Sequence, residues 1–498
     1  MEEAVLIFDV GKTNKKAVLF DASLQVMRIR EVEIPEQSLG HGLLADDVAA
    51  IEQWILDELR AAAAERNIRL RAINVTTFGA TVAHLDVHHD LACSVYAYGC
   101  DPGEELDREF QKTMTQRPGG FHRRATPKLP QFLNVAKQLL WLNRRQPDVA
   151  GRIRTTLFLP QYFAFRLSGS ACSEPTGFGC HTGLWDFERM QPDEDLLSQL
   201  GWQNRFPALV DPLRTALPLS GSVAAATGLD ANATVVGSGL HDSSSALLPY
   251  ELTLKDDFVL VSTGTWIVVL NPGAPFRLSD EDLRRDRLYY LSPRQRPVRA
   301  ARLFAGREHD VQLQRIEAHF GRSPQSNGDV ARFLSGFFAE PTFRGLQPQA
   351  LSGSGPFPNH PGGEWDLSNF GSAEEAYARL CLDLAVLVDY CISEVATERT
   401  RRVVIDGGFA RNPWFTQILA MLQQPTSVMV AEVPQATALG AALAVHSAMQ
   451  SELPPMDELL HLRRIETEAL PGLRLYAEHV LAHWESASSD HEDERRTA

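Results

Sequence analysis

A histidine and an aspartate follow a short glycine-rich strand near the middle of the chain. Residues 235–242 (VVGSGLHD) predict a buried strand, and the small residues after Asp242 predict a closely packed helix. Such strand-to-helix junctions line the ligand crevice of open α/β sheets, and a deprotonated aspartate there can accept a proton from a hydroxyl. Asp242 is therefore a candidate general base. The alternative is that Asp242 only caps the helix, a common role for aspartate.

The N-terminal segment carries groups that suit a phosphate. Residues 4–21 predict a strand, a polar turn and a second strand, with Asp9 just before the turn. Backbone N–H groups and polar side chains of the turn could hold a phosphate, while Asp9 could face a metal ion. The segment is not a P-loop, because Leu6 stands where that motif needs a glycine. The alternative is a solvated hairpin. The turn residues are Gly11, Lys12, Thr13, Asn14 and Lys15.

A second hairpin repeats this layout about half a chain later. Residues 257–270 predict a strand, a turn containing Gly264 and Thr265, and another strand. Two hairpins of the same layout suggest two related domains, each offering a turn that can cradle a phosphate.

Residues 402–412 predict a buried strand that runs into Gly407 and Gly408. Adjacent glycines let a backbone approach a flat ligand closely. The alternative is a tight turn. Earlier in the chain, residues 173–186 break regular structure and predict either a substrate loop that includes Glu174 or a plain surface loop.

Composition limits the class of protein. A chain of 498 residues predicts two to four domains, and a net charge of -15 disfavours nucleic acid and membrane surfaces as partners. The six cysteines form no C-x-x-C pair, so neither a zinc ribbon nor a disulfide framework is indicated. No signal peptide and no apolar stretch of about 18 residues is apparent, which predicts a cytoplasmic protein.

Taken together, these segments come in the order seen in FGGY carbohydrate kinases, and the chain resembles that family over nearly its whole length. The motifs most similar to its rhamnulokinase and fuculokinase branch are residues 76–79 (TTFG), 241–246 (HDSSSA) and 263–266 (TGTW). Residues 159–169 also look like a family segment near the sugar site.

The resemblance implies an α/β fold of two actin-like (ribonuclease H-like) domains with a nucleotide cleft between them. The expected division is a sugar and phosphate domain over 1–250, a nucleotide domain over 251–450, and an extension over 451–498. The acidic tail from Glu485 is predicted to be disordered. The implied cofactors are ATP and Mg²⁺.

The resemblance also assigns roles to residues. Asp242 matches the base that accepts the proton of the attacking sugar hydroxyl, and Asp9 matches the acid that faces Mg²⁺ or its waters. The remaining matches are Gly11, Lys12, Thr13, Asn14 and Lys15 in the first phosphate turn, Gly264 and Thr265 in the second, Gly407, Gly408 and Asn412 at the adenosine site, and Gly79, Thr81, Glu174 and His241 beside the sugar.

Two residues depart from the family pattern. Thr81 stands where the rhamnulokinase and fuculokinase branch usually has an aspartate that contacts sugar hydroxyls, and Gln435 replaces a common glutamate. The leading hypothesis is therefore an ATP-dependent kinase of a ketose such as a 6-deoxyketose. The alternatives are a kinase of another polyol, such as xylulose or glycerol, and a non-catalytic ATP and sugar sensor. The expected partner is a small-molecule sugar, with no nucleic acid or membrane and with a homodimer left open.

Overall fold

The computed structural model describes residues 1–338, 345–351, 355–433, 435–449 and 452–497. They fold into two compact units. The first comprises Met1–Thr253, Tyr289–Pro297 and Pro434–Leu459. The second comprises Leu254–Leu288, Val298–Val433 and Leu460–Ala498.

The secondary structure alternates between strands and helices along the chain. The strands are β1 (Glu2–Val10), β2 (Asn14–Asp21), β3 (Val26–Glu33), β4 (Gln37–Gly40), β5 (Leu43–Ala45), β6 (Ile68–Thr77), β7 (Val82–Leu85), β8 (Thr155–Phe158), β9 (Trp185–Asp186), β10 (Gln191–Pro192), β11 (Ala216–Pro218), β12 (Val235–Gly237), β13 (Leu240–His241), β14 (Phe258–Thr263), β15 (Ile267–Asn271), β16 (Arg287–Leu291), β17 (Pro297–Leu303), β18 (Arg402–Gly407), β19 (Ser427–Ala431) and β20 (Leu462–Arg464).

The helices vary from single turns to more than six turns. They are α1 (Val48–Ala64), α2 (Glu104–Thr115), α3 (Gly120–Arg123), α4 (Val135–Arg145), α5 (Pro147–Arg152), α6 (Leu159–Ser168), α7 (Pro175–Gly179), α8 (Glu194–Gln199), α9 (Gly221–Thr227), α10 (Asp242–Thr253), α11 (Asp280–Arg284), α12 (Ala305–Phe320), α13 (Ala331–Phe338), α14 (Ala373–Val395), α15 (Pro413–Leu422), α16 (Ala436–Ala448), α17 (Met456–Leu460) and α18 (Leu473–Thr497), with 3₁₀ turns at Leu367–Asn369 and Gly408–Arg411.

The first unit is built on a mixed sheet with the strand order β11-β12-β6-β1-β2-β3, and β13 continues the pairing along β6. β1 pairs antiparallel with β2 and parallel with β6. Its residues from Ala4 to Phe8 are all buried, as expected for a central strand covered on both faces. Strand β1 therefore ends inside the unit, where Asp9 and the turn after Val10 begin.

The second unit repeats this topology. Its sheet contains the order β17-β15-β14-β18-β19-β20, in which β14 pairs antiparallel with β15 and parallel with β18. Strands β14 and β15 thus take the places that β1 and β2 take in the first unit. This correspondence agrees with the prediction of two related domains from the two hairpins.

Helix α16 belongs to the first unit, whereas the predicted division at residues 250 and 450 assigns it to the second domain. It packs on α10 so closely that a Cβ on Gly440 would lie 1.8 Å from the backbone oxygen of Ser245. Small residues on both helices permit this approach. The predicted boundary between residues 450 and 451 lies outside the described residues.

The C-terminal segment differs from the prediction of a disordered tail after Glu485, because α18 continues to Thr497. Tyr476, Val480 and Trp484 pack into the core of the second unit and anchor the first turns of this helix. Once a helix is nucleated, polar residues extend it at little cost. Within the described part of the chain, no helix is long and apolar enough to cross a membrane.

Candidate functional site

The structure places Asp242 at the predicted strand-to-helix junction. His241 ends β13, which pairs in parallel with the end of β6, and Asp242 is the first residue of α10. Gly239 enters this junction at a φ of +80°, and a Cβ there would lie 2.6 Å from the carbonyl oxygen of Pro160. Glycine is therefore required at position 239, both for its backbone angle and for the close approach.

The Asp242 carboxylate does not make the usual capping contacts. An N-cap side chain accepts hydrogen bonds from backbone N–H groups two or three residues later. Here Oδ1 of Asp242 accepts from the backbone N (2.5 Å) and Oγ (3.2 Å) of the next residue, Ser243. Oδ2 has no hydrogen-bond partner among the described residues, and 32% of the side chain is exposed. The carboxylate can therefore accept a proton from a ligand.

His241 is buried and orders the residues around Asp242. Its Nε2 lies 3.1 Å from Asp242 Oδ1 and 3.0 Å from Cys180 Sγ, and its Nδ1 lies 3.1 Å from Ser244 Oγ. Burial lowers the pKa of His241, while the charge of Asp242 opposes that shift. Gly79 packs against the same group, because a Cβ on Gly79 would lie 2.3 Å from Cys180 Sγ and 3.1 Å from His241 Cδ2.

Glu174 lies beneath this junction and not on its surface. It is fully buried and caps α7, accepting from the backbone N of Thr176 and of Gly177, both at 2.7 Å. The Thr176 hydroxyl donates to Glu174 Oε1 at 2.6 Å and accepts from the backbone N of His241 at 3.0 Å. The structure thus gives Glu174 a supporting role where direct sugar contact is predicted. Burial raises its pKa to about 7, although these hydrogen bonds oppose the shift.

Thr81, which stands where related kinases usually have an aspartate, is not an exposed polar group. Only 1% of the residue is exposed, and its hydroxyl has no hydrogen-bond partner among the described residues. A buried hydroxyl without a partner is unusual in folded proteins.

Asp9 and Lys16 are direct neighbours across β1 and β2. Burial and the negative charge of Asp242 together raise the pKa of Asp9 to about 7, and the positive charge of Lys16 opposes both effects. The two carboxylates therefore face the same region of the first unit. Lys16 was not selected from the sequence, although alternation along a strand puts Lys15 and Lys16 on opposite faces of β2 and could have shown which one faces Asp9.

The turn between β1 and β2 supplies two exposed polar residues, Thr13 and Asn14. Gly11 is required because a Cβ there would lie 2.8 Å from the Asn14 carbonyl oxygen. Lys15 has a different position from the one predicted. Its ammonium is buried and donates to the carbonyl oxygens of Lys12 (2.9 Å), Thr13 (3.2 Å) and Ile34 (2.8 Å), so it holds the turn together and is not available to a phosphate.

The Lys12 ammonium is also paired with other groups, which does not favour the predicted phosphate contact. Its Nζ lies 2.8 Å from Asp46 Oδ1 and 2.5 Å from Glu36 Oε1. The same ammonium lies over the rings of Phe78 and Tyr98, 4.7 Å and 4.6 Å from their centroids. These neighbours were not recognised from the sequence, because they come from four separate segments.

The second unit contains a cavity of about 420 Å³ beside the other predicted turn. Gly264 and Thr265 are exposed at its edge, and Gly408 forms part of its wall. Its lining residues are Thr263, Gly264, Thr265, Gly306, His309, Asp310, Ser326, Tyr377, Gly408, Phe409, Arg411 and Asn412.

Gly407 directly precedes the cavity wall at Gly408, and Asn412 lines the cavity. Gly407 has a φ of +89°, and a Cβ there would lie 2.0 Å from the Thr263 carbonyl oxygen, so no other residue fits. Asn412 caps α15 by accepting from the backbone N of Trp414 and Phe415, both at 3.2 Å. Its Nδ2 donates to the Tyr377 hydroxyl at 2.9 Å, so the amide fixes the cavity wall before any ligand binds.

The donors present suit a magnesium ion that is bound together with a phosphate. Among the described residues, no group of three or more His, Cys, Asp or Glu side chains could hold a metal ion alone. Mg²⁺ is usually held by one or two carboxylates, with waters and substrate phosphates completing its shell. Asp9 is a buried acid next to a second acid, Asp242, which is an arrangement that a divalent cation would stabilise.

The predicted site residues thus fall into two groups. Asp9, the first turn, Gly79, Thr81, Glu174, His241 and Asp242 lie in the first unit, and Gly264, Thr265, Gly407, Gly408 and Asn412 lie in the second. Of the residues in the second unit, Gly264, Thr265, Gly408 and Asn412 line the cavity of about 420 Å³. Cys180 and Thr176, which support His241, were not identified from the sequence.

Comparisons with known proteins agree with this division. The model described as "FGGY family of carbohydrate kinases, N-terminal domain" matches residues 4–249, and "Carbohydrate kinase FGGY, C-terminal domain" matches residues 255–453. A rhamnulokinase from Pectobacterium atrosepticum is 32% identical over 149 residues, which are 29% of this chain and 29% of that protein. The chain therefore matches less than a third of that relative's length.

Solved structures match nearly the whole chain. A carbohydrate kinase from Novosphingobium aromaticivorans is 27% identical, with a TM-score of 0.80 over 97% of this chain and 98% of that one. A glycerol kinase from Plasmodium falciparum, solved with ADP, shares the fold at 15% identity, with a TM-score of 0.73 over 98% of both chains. These matches confirm the predicted α/β fold with two actin-like domains. The chain belongs to the FGGY family of carbohydrate kinases.

Proposed function

We propose that the protein is an ATP-dependent kinase that phosphorylates a hydroxyl of a ketose, for example a 6-deoxyketose, with Asp242 as the general base. The observation that carries this proposal is the Asp242 carboxylate itself. It follows the strand that ends at His241, exposes 32% of its side chain, and keeps Oδ2 without a partner among the described residues. A sensor that only binds its ligands has no need of a carboxylate held in this way.

In the proposed reaction, Asp242 accepts the proton of the sugar hydroxyl as the hydroxyl oxygen attacks the γ-phosphorus of ATP. The bond from that phosphorus to the β,γ-bridging oxygen breaks, and ADP leaves. Most of the acceleration in such transfers comes from positioning and charge stabilisation, and proton transfer contributes a smaller part. The His241 contact fixes the Asp242 side chain for this role.

Asp9 would hold Mg²⁺ or its waters, and the ion would neutralise charge on the transferring phosphates. The exposed Thr13 and Asn14 side chains and the turn N–H groups would contact phosphate oxygens, with Lys16 adding positive charge beside Asp9. Gly264 and Thr265 would form a second phosphate contact. The adenosine would occupy the cavity of about 420 Å³ in the second unit, where Gly408 lets a flat ring lie close to the backbone.

The sugar is the least defined part of the proposal. Relatedness to rhamnulokinases favours a 6-deoxyketose, but Thr81 lacks the carboxylate expected there. Ketoses without a methyl terminus and linear polyols such as glycerol are therefore included as candidate substrates.

The test is ADP release from ATP and Mg²⁺ across a panel of ketoses, aldoses and polyols. We expect one sugar to stimulate release in the wild type, and Asp242→Asn to bind ATP normally while losing at least about 10²-fold in kcat. Asp57→Asn serves as a control, because Asp57 is an exposed carboxylate paired with Arg60 on α1. Sugar-stimulated turnover near wild type in Asp242→Asn would refute the base. ATP and sugar binding without stimulation by any compound would favour the sensor.

A further inference from the structure

Lys12 forms a charged cluster with Glu36 and Asp46 in the first unit. Its ammonium contacts both carboxylates, at 2.5 Å and 2.8 Å, and one face of it is covered by the rings of Phe78 and Tyr98. An ammonium has three N–H donors, of which these two carboxylates can take two. One donor of Lys12 therefore remains for a further oxygen.

Asp46 has an unused acceptor in the same cluster. Only 8% of the residue is exposed, and Oδ2 is buried without a hydrogen-bond partner among the described residues. Leaving a buried carboxylate oxygen unsatisfied is costly, and such an atom in a native structure calls for a partner. A hydroxyl group of a ligand could donate to Asp46 Oδ2 and accept from Lys12 Nζ at the same time.

The cluster adjoins the residues beside Asp242. Phe78, which lies under the Lys12 ammonium, is followed by Gly79, and Gly79 packs against His241 with only 3.1 Å from an added Cβ to the imidazole. Tyr98 meets the Phe78 ring edge to face at 5.8 Å. Burial, together with the charges of Asp242 and Asp46, raises the pKa of Tyr98 to about 12, so this phenol lies within electrostatic reach of both carboxylates.

We infer that Lys12 and Asp46 form a specificity subsite that binds a hydroxyl of the sugar and selects neutral polyhydroxylated substrates over sugar acids. The carboxylates of Glu36 and Asp46 are balanced by the ammonium groups of Lys12 and Lys15, so the cluster accepts a hydroxyl and has no spare positive charge for a substrate carboxylate. The subsite takes over the recognition that the absent acid at position 81 would have supplied. This inference rests on the proposed function, because the hydroxyl that it binds belongs to the phosphorylated sugar.

The test compares Asp46→Asn with the wild type on the best substrate and on analogues of that substrate that each lack one hydroxyl. We expect Asp46→Asn to raise KM for the parent sugar by about 10- to 100-fold, the range for one hydrogen bond to a charged group, with kcat and the KM for ATP within about threefold of wild type. One deoxy analogue should bind to the wild type more weakly than the parent sugar does. Asp46→Asn should bind this analogue and the parent sugar equally, because the variant already lacks the contact. Equal losses for every analogue would overturn the inference.

Two further variants extend the test, and the first of them, Lys12→Met, keeps it decisive if Asp46→Asn is poorly folded. Lys12→Met retains the apolar stem under Phe78 and Tyr98 and should show the same deoxy pattern. Glu36→Gln combined with Asp46→Asn removes both counter-charges from the Lys12 and Lys15 ammonium groups and should bring the KM for an aldonate of matching length below that for the neutral sugar. An unchanged preference for the neutral sugar in this double variant would also overturn the inference.

Failure of the subsite and failure of the proposed function give different results. Sugar-stimulated ADP release by the wild type establishes the kinase whatever Asp46→Asn does. Without such stimulation in any member of the panel, direct calorimetric binding of the neutral sugar and of the aldonate to wild type and Asp46→Asn tests the subsite alone. Equal binding of the neutral sugar by both proteins would then refute the subsite.

Discussion

His241 and Asp242 are adjacent in sequence and also contact each other through their side chains, with 3.1 Å between Nε2 and Oδ1. Burial lowers the pKa of His241, so its imidazole is neutral at pH 7 and carries a proton on only one nitrogen. Nδ1 faces Ser244 Oγ, and Nε2 faces both Asp242 and Cys180. The imidazole therefore restrains the proposed base without adding a second charge.

We expect His241→Ala to lower kcat by about 10- to 100-fold, because a small displacement of the base is enough for such a loss. The KM for ATP should stay within about twofold, since the predicted nucleotide contacts lie elsewhere. Cys180→Ala is the matched control: it removes the other neighbour of Nε2 but leaves the contact with Asp242. If Cys180→Ala lowers kcat as much as His241→Ala, packing around the imidazole and not the contact with Asp242 governs activity.

Glu174 predicts a pH dependence of stability. Burial raises its pKa from 4.5 to about 7, so the folded protein binds this proton more tightly than the unfolded chain does. Stability from this group is complete below pH 4.5 and is lost as pH rises toward 7, by about 3 kcal/mol in total. We expect Glu174→Gln to remove this part of the slope in thermal unfolding between pH 5 and pH 7.5.

Asp9 and Glu251 also have pKa values raised to about 7 mainly by burial, so they add to the same slope. The quantity to compare is therefore the difference between wild type and Glu174→Gln, measured in one buffer series. An identical slope in both proteins would show that Glu174 is ionised in the folded state throughout this range, held by its bonds from Thr176 and Gly177.

The resemblance to FGGY kinases implied the fold, and a local pattern predicted the position of Asp242 at a strand-to-helix junction. Alternating strands and glycine turns mark each hairpin, and Gly239 marks the junction before His241. The contacts of Lys12 and Lys15 could not be predicted from the sequence. Lys15 satisfies carbonyl oxygens within its own turn, and Lys12 finds carboxylates from residues 36 and 46 that only the folded sheet brings near. Likewise, the sequence places Glu174 in an irregular loop, and its burial is evident only from the structure.

Lys16 should tune the ionisation of Asp9. The two residues pair across β1 and β2, and the positive charge of Lys16 lowers the pKa of Asp9 against the effect of burial. Because the ionised form of Asp9 is the one proposed to hold Mg²⁺, we expect Lys16→Met to move the acid limb of kcat/KM toward higher pH by about one pH unit. The measurement is the pH profile at saturating Mg²⁺.

Lys15→Met is the control for that profile. Among the residues that the structure describes, its ammonium bonds only to carbonyl oxygens of the turn and of Ile34, so its loss should lower the unfolding temperature and leave the acid limb in place. A limb that moves in Lys15→Met and not in Lys16→Met would reverse the roles of the two lysines.

Gly407 and Gly408 form a matched pair for testing the cavity of the second unit. A methyl group at position 407 would meet the Thr263 carbonyl oxygen at 2.0 Å in a backbone conformation with φ of +89°, whereas at 408 the nearest atom is 4.0 Å away. We expect Gly407→Ala to destabilise the protein by about 3 kcal/mol or more through strain and overlap, and to weaken binding of a fluorescent ATP analogue. Gly408→Ala should unfold within about two degrees of wild type, so any loss of nucleotide binding in it reports on the cavity wall and not on stability. Thr263 pairs with Gly407 across β14 and β18. Equal unfolding temperatures in the two variants would mean that the backbone at this end of the strand pair shifts to accept a methyl group, and that glycine is not required at position 407.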